Sequence, residues 1–171
     1  MKYITLFLTF LLLSCSTTYK NQDLEGEEII TFSGKALSDK PWIIPDDFDS
    51  ESVILLIGYK QNSQFDIDRW LIGLDMKEVD TPVFEVPAIQ GLIPRLIKSK
   101  IDNGMKKGIP KKLWASVITV YEDGERLQEF TGNVNPNNAR VIFLKKNQII
   151  FFEDEGFSVE SLNRLIKTIN K

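Results

Sequence analysis

Two counts narrow the chemistry open to this chain. Among its 171 residues there is no histidine and one cysteine, Cys15. Imidazole metal ligands, Ser-His-Asp triads and Cys-His pairs are therefore excluded, as are an intrachain disulfide, a cysteine cluster and a CxxC motif. Carboxylates remain. Asp66 and Asp68 flank the expected start of a helix with Arg69 beside them, and Glu153-Asp154-Glu155 precedes Gly156. A carboxylate pair can do acid–base work or hold a divalent cation. Residues two apart on a helix point to different sides, and acids in a first turn answer the helix dipole. Helix stabilisation is thus the expectation for Asp66 and Asp68, and a solvated loop for 153–155. Charge is also unevenly placed. The window 95–112 holds seven cations (Arg95, Lys98, Lys100, Lys106, Lys107, Lys111, Lys112) against Asp102. Lys98, Lys106, Lys107, Lys111 and Lys112 form a candidate basic surface for anionic headgroups or an acidic partner, the plainer alternative being a solvated helix face.

The N-terminus reads as a targeting segment. Met1-Lys2 gives a positive start, and residues 3–13 are apolar except for Thr5 and Thr9. A membrane span needs about 20 apolar residues, so this run fits the hydrophobic region of a secretory signal peptide. Leu12-Leu13-Ser14-Cys15 resembles the bacterial lipobox, in which cleavage before the cysteine leaves an N-terminal residue acylated on sulfur and nitrogen. The expectations are a signal peptide over 1–14, a lipidated Cys15, and a polar tether over 15–28. Loss of residues 1–14 removes Lys2 alone and takes the net charge from −3 to −4. The resemblance implies a membrane partner through the lipid and a place in the bacterial envelope. Ser16 after the cysteine favours an outer membrane, facing the periplasm, in a Gram-negative cell. No nucleic acid is expected for an exported protein.

The elements that must position these residues can be read in outline. A composition of 43% hydrophobic and 26% charged residues is that of a folded domain, and one domain over 29–171 is the expectation. Residues 53–59 (VILLIGY) read as a central strand buried on both faces. Ser63 with Asp66 three residues on is an acidic variant of the capping box. Ile67, Trp70, Leu71 and Leu74 then give an amphipathic stripe. Residues 82–87 read as a short strand, and Pro94 as the first turn of a helix burying Ile97, Ile101 and Met105. Residues 114–121 read as a second strong strand paired, through a turn at 122–125, with 126–130. Residues 141–144 and 149–152 form a hairpin, and Ser158 caps a last helix burying Leu162, Leu165, Ile166 and Ile169. This order predicts an α/β sandwich, a mixed β-sheet flanked by helices.

The order resembles the thioredoxin-like superfamily, with its peroxiredoxin-like and membrane-anchored branches. The resemblance lies in Trp42-Ile43-Ile44-Pro45-Asp46-Asp47 ahead of the first core strand, and in the closing unit Arg140-Val141-Ile142-Phe143-Leu144 through Gly156 with its helix. The chain also resembles assembly factors of the mitochondrial ATP synthase that carry this fold without its redox chemistry. Thioredoxins place CxxC between the first core strand and its helix, here within 60–68, where no cysteine stands. Their cis-proline would fall at or next to Ala139, and Pro136 comes too early. The resemblance implies that the two loops are neighbours, bringing Gln61, Asn62 and Ser63 beside Asn137, Asn138 and Arg140. Amides both donate and accept hydrogen bonds, so such a surface suits an extended peptide backbone, although asparagines also serve turn geometry.

The reading is a lipid-anchored, redox-inactive binding or assembly module with a protein partner in the envelope, and with no cofactor or metal. Its rivals are a carboxylate-based, cation-dependent hydrolase and a purely structural envelope protein. The first requires two or more acids converging in one pocket.

Overall fold

Residues 52–58 are the axis of the molecule. In the computed structural model, which describes residues 17–171, they form β3 (Ser52–Gly58). Val53, Leu55 and Ile57 enter one core while Ile54 and Leu56 enter the other, the period-two alternation of a strand buried on both faces. β3 pairs parallel with β4 (Val83–Pro87) and antiparallel with β6 (Arg140–Lys145), which pairs antiparallel with β7 (Gln148–Glu153). A second sheet has the order β2 (Pro41–Ile44), β1 (Phe32–Ala36), β5 (Ile118–Thr119). It joins the first through bridges of Glu85 with Val117 and Ala88 with Val120.

Helix α1 (Gln64–Met76) and helix α5 (Val159–Ile169) cover one face. Ile67, Trp70 and Leu74 meet Leu162 and Leu165 there. Each such side chain contributes about 1.5–3 kcal/mol by leaving water. The helices approach closely because residue 73 is glycine. A Cβ at Gly73 would stand 2.8 Å from a Leu162 methyl. The other face is covered by Leu24, Ile29, the β1–β2 hairpin and Leu127 of α4 (Gly124–Thr131). The expected sandwich and mixed sheet are thus present, and Ser158 accepts the Ser161 N–H as the cap of α5.

Several elements differ from expectation. Residues 126–130 are not a strand but the body of α4, because Gly124, Leu127, Gln128 and Thr131 all turn inward at helical spacing. Of 114–121, only Ile118–Thr119 is strand. Lys111–Ser116 is a 3₁₀ turn, held where the Trp114 indole N–H donates to the Ile109 carbonyl at 2.9 Å. The helix expected from Pro94 is two: α2 (Leu92–Leu96) and α3 (Lys98–Gly108), broken at Ile97. Ser63 makes no side-chain cap for α1.

The signal peptide and Cys15 lie outside the described residues. From Thr17 on, the stretch read as a tether runs along the domain. The Asn133 side chain accepts from the Tyr19 N–H (2.7 Å) and donates to the Thr17 carbonyl (2.9 Å). Leu24 is buried, and the Gly26 N–H donates to the Ile149 carbonyl at 2.8 Å. Gly132 permits this passage with a φ of +76°. A Cβ there would collide with the Asn21 backbone.

Candidate functional site

Two loops meet at the end of β3. The first follows Tyr59, and the second, 132–139, leads into β6. They are stapled by Asp66 in the first turn of α1, which is buried and accepts from the Ala139 N–H (2.9 Å) and from the Phe157 N–H ahead of α5 (2.8 Å). Asp66 thus stands in the first turn of α1, as expected, and also ties that helix to two other segments. Ser63 is buried as well, its hydroxyl donating to the Lys60 carbonyl at 2.7 Å.

Arg140 is the group that the sequence placed on the surface and the structure places inside. It has no exposed area. Its Nε donates to the Gly132 carbonyl (3.1 Å), Nη1 to the carbonyls of Asn135 (2.7 Å) and Asn138 (3.0 Å), and Nη2 to Asn21 Oδ1 (3.3 Å). Its guanidinium lies over the Tyr59 ring, 5.3 Å from the centroid. The fork of donors thus ties both ends of the 132–138 loop and the N-terminal segment to one point. Tyr59 bonds Thr131 Oγ1, and burial pushes its hydroxyl up to about 12.

What the site leaves to solvent is smaller than the sequence suggested. Gln61, Asn62 and Asn137 are exposed, and their side-chain amides bond to no other described residue. Asn138 is half-buried and donates to the Asp154 carbonyl at 3.3 Å. The single cis X-Pro bond among the described residues is Ile44–Pro45, away from the 139 position.

The acids do not converge. Asp68 is exposed and accepts from Gln64 (2.9 Å). Glu153, expected in a solvated loop, is buried and accepts from the N–H groups of Asp154 (3.1 Å) and Glu155 (2.9 Å) and from Arg164 (3.1 Å). Among the described residues no three acidic or thiol groups are grouped to hold a metal ion.

The basic surface is also reduced. Lys106 is turned inward, 3.0 Å from Asp39 Oδ2 and over the Trp114 ring. Hydrogen bonds from Lys35 and Lys106 hold the Asp39 carboxyl below its usual range. Lys98, Lys107, Lys111 and Lys112 stay exposed, as does Lys100. Beside them runs a groove of about 200 Å³ lined in part by Ser33, Lys98, Asp102 and Tyr121. Sequence reasoning missed that α2 and the residue after it present four apolar side chains to solvent. The signal was available, since Leu92, Ile93, Leu96 and Ile97 exceed what one buried face of a short helix can absorb.

No protein-family profile and no characterised protein sequence matches the chain. Solved structures do. The thioredoxin domain of a thiol-disulfide oxidoreductase from Bacteroides vulgatus is 13% identical, covering 88% of this chain and 100% of that one, with a TM-score of 0.57. A thiol peroxidase from Chromobacterium violaceum is 8% identical, covering 90% and 92%, with a TM-score of 0.55. An exposed lipoprotein thioredoxin of Streptococcus pneumoniae strain TIGR4 is 13% identical, covering 81% and 98%, with a TM-score of 0.52. At such identities the likeness is one of fold.

Proposed function

With a thioredoxin-like fold as the premise, we propose that this chain is a lipid-anchored envelope protein whose domain binds or helps assemble a protein partner without thiol redox chemistry. The only cysteine stands in the lipobox-like sequence at position 15, far in sequence from the loop where thioredoxins carry theirs. One observation carries the binding reading. Arg140 fixes the backbone of the 132–138 loop, Asp66 ties Ala139 at its end to the start of α1, and Gln61, Asn62 and Asn137 stand exposed on the two adjoining loops. Amides held on a pre-formed backbone offer paired donors and acceptors at little ordering cost, which suits an extended peptide segment. The lipid would confine this surface to the membrane where its partner sits, an outer membrane facing the periplasm in a Gram-negative cell.

Photo-crosslinking in cells from Asn62 and Asn137 of the full chain tests the binding part. One dominant envelope-protein adduct from both positions is the expected result, and adducts with no protein from either would overturn it. Mass spectrometry of the mature N-terminus tests the anchor separately. The expected species begins at an acylated Cys15, and an unmodified thiol there contradicts it.

A further inference from the structure

Segment α2 is built the wrong way out for a helix that only supports the fold. Leu92, Ile93, Leu96 and Ile97 are 70%, 64%, 77% and 45% exposed. At 100° per residue Leu92, Ile93 and Leu96 share one side of α2, and Ile97 follows at the break before α3. The opposite side is the attached one. Pro94 and Arg95 are half-buried, and Arg95 donates from Nε to the Tyr121 carbonyl (3.1 Å) and from Nη2 to the Glu122 carbonyl (3.2 Å). The helix is thus pinned by its polar side with its apolar side in water, and adjacent exposed apolar side chains mark a contact surface.

Two further observations say what covers it. First, the segment that follows is cationic. With Lys106 paired to Asp39 and Arg95 turned onto carbonyls, Lys98, Lys100, Lys107, Lys111 and Lys112 remain exposed. The window 95–112 carries net +6, whereas the rest of the chain after residue 14 sums to −10. An anionic surface would attract this segment and repel the remainder, which orients the molecule. Second, the chain's N-terminal segment arrives at this edge. Tyr19 Oη donates to Glu125 Oε1 (3.1 Å), and Gln90 Nε2 donates to the same oxygen (3.4 Å). Gln90 stands two residues ahead of Leu92. Cys15 stands four residues ahead of Tyr19, within about 14 Å of it by any path of the chain.

We infer that α2 and the start of α3 form a second membrane contact, with Leu92, Ile93, Leu96 and Ile97 entering the interfacial region of an anionic bilayer and the exposed lysines meeting its headgroups. The orientation rests on the proposed anchor at Cys15, while the contact itself does not. Apolar residues flanked by lysines on a surface helix are the composition of interfacial binding, in which burial and headgroup attraction add. With the acyl chains inserted nearby, contact at α2 would become intramolecular and would hold the domain in one attitude to the membrane.

The chain 16–171 separates the two ideas, because it contains both cores and every described element but no cysteine. It should float with vesicles of phosphatidylcholine and phosphatidylglycerol at low salt, and should not float with phosphatidylcholine alone. The pair Leu92→Glu with Leu96→Glu should lower the bound fraction about tenfold, whereas Ile72→Glu, an exposed apolar position on α1, should leave it unchanged. All variants should keep the parent's far-UV spectrum. No flotation of the parent with anionic vesicles would overturn the inference, as would flotation indifferent to the Leu92 and Leu96 changes. Neither result bears on Cys15, which the N-terminal mass decides.

Discussion

The loop pair at the end of β3 and the α2–α3 segment are opposites in how they use their side chains. The loop pair turns its strongest polar groups inward. Arg140 has four protein acceptors and Asp66 two backbone donors, so charge there fixes backbone. The α2–α3 segment turns its strongest groups outward, with apolar side chains on α2 and lysines beyond it. Charged residues in a loop are therefore poor pointers to a site until their partners are known. The informative groups are those the fold could have satisfied and did not.

If that contrast is right, the two regions break differently. The largest effect should come from Arg140→Met, which takes a buried guanidinium away from the carbonyls of Gly132, Asn135 and Asn138 and from Asn21 Oδ1. Hydrogen bonds made by a charged group are worth about 1.5–3 kcal/mol each, so the loss of this fork should cost about 3 kcal/mol or more in urea unfolding. Asp66→Ala should follow, at about 2–3 kcal/mol, because two N–H groups lose one acceptor. A smaller effect should appear in alkali. The Tyr59 hydroxyl ionises near 10 in the unfolded chain and about 12 in the fold. Above pH 10 the unfolded state releases the proton first, so stability should be full below pH 10 and fall towards pH 12, by on the order of 1 kcal/mol per pH unit. Tyr59→Phe should flatten that slope in urea midpoints taken across the range. At the other extreme, Gln61→Ala, Asn62→Ala and Leu96→Glu should each change stability by less than about 0.5 kcal/mol, since each side chain is exposed.

Much of the fold was legible because long, periodic segments declare themselves. β3, the β6–β7 hairpin, α1 and α5 each carry a stripe that burial enforces. Short elements did not. The β1–β2 hairpin has strands of four and five residues with one face exposed, too brief for a period to register. α4 was mistaken for a strand because the preceding Glu122-Asp123-Gly124-Glu125 resembles a hairpin turn. Its role differs, as Asp123 accepts from the Ser33 N–H and hydroxyl, both at 2.8 Å, and ties α4 to β1. The candidate site was legible only as a neighbourhood. The resemblance to thioredoxin-like proteins implied that the loops are neighbours, but a buried arginine is recognised by backbone carbonyls, and no residue type announces where those will point. The exposed amides Gln61, Asn62 and Asn137 were found, whereas Ser63 and Arg140 were internal.

The contrast is tested most directly by placing the same photo-reactive side chain at Asn62 and, in a second strain, at Leu96 of the full chain in cells. A dominant protein adduct is expected from Asn62 and phospholipid adducts from Leu96. Capture of one and the same protein from both positions, with no lipid from Leu96, would contradict that contrast.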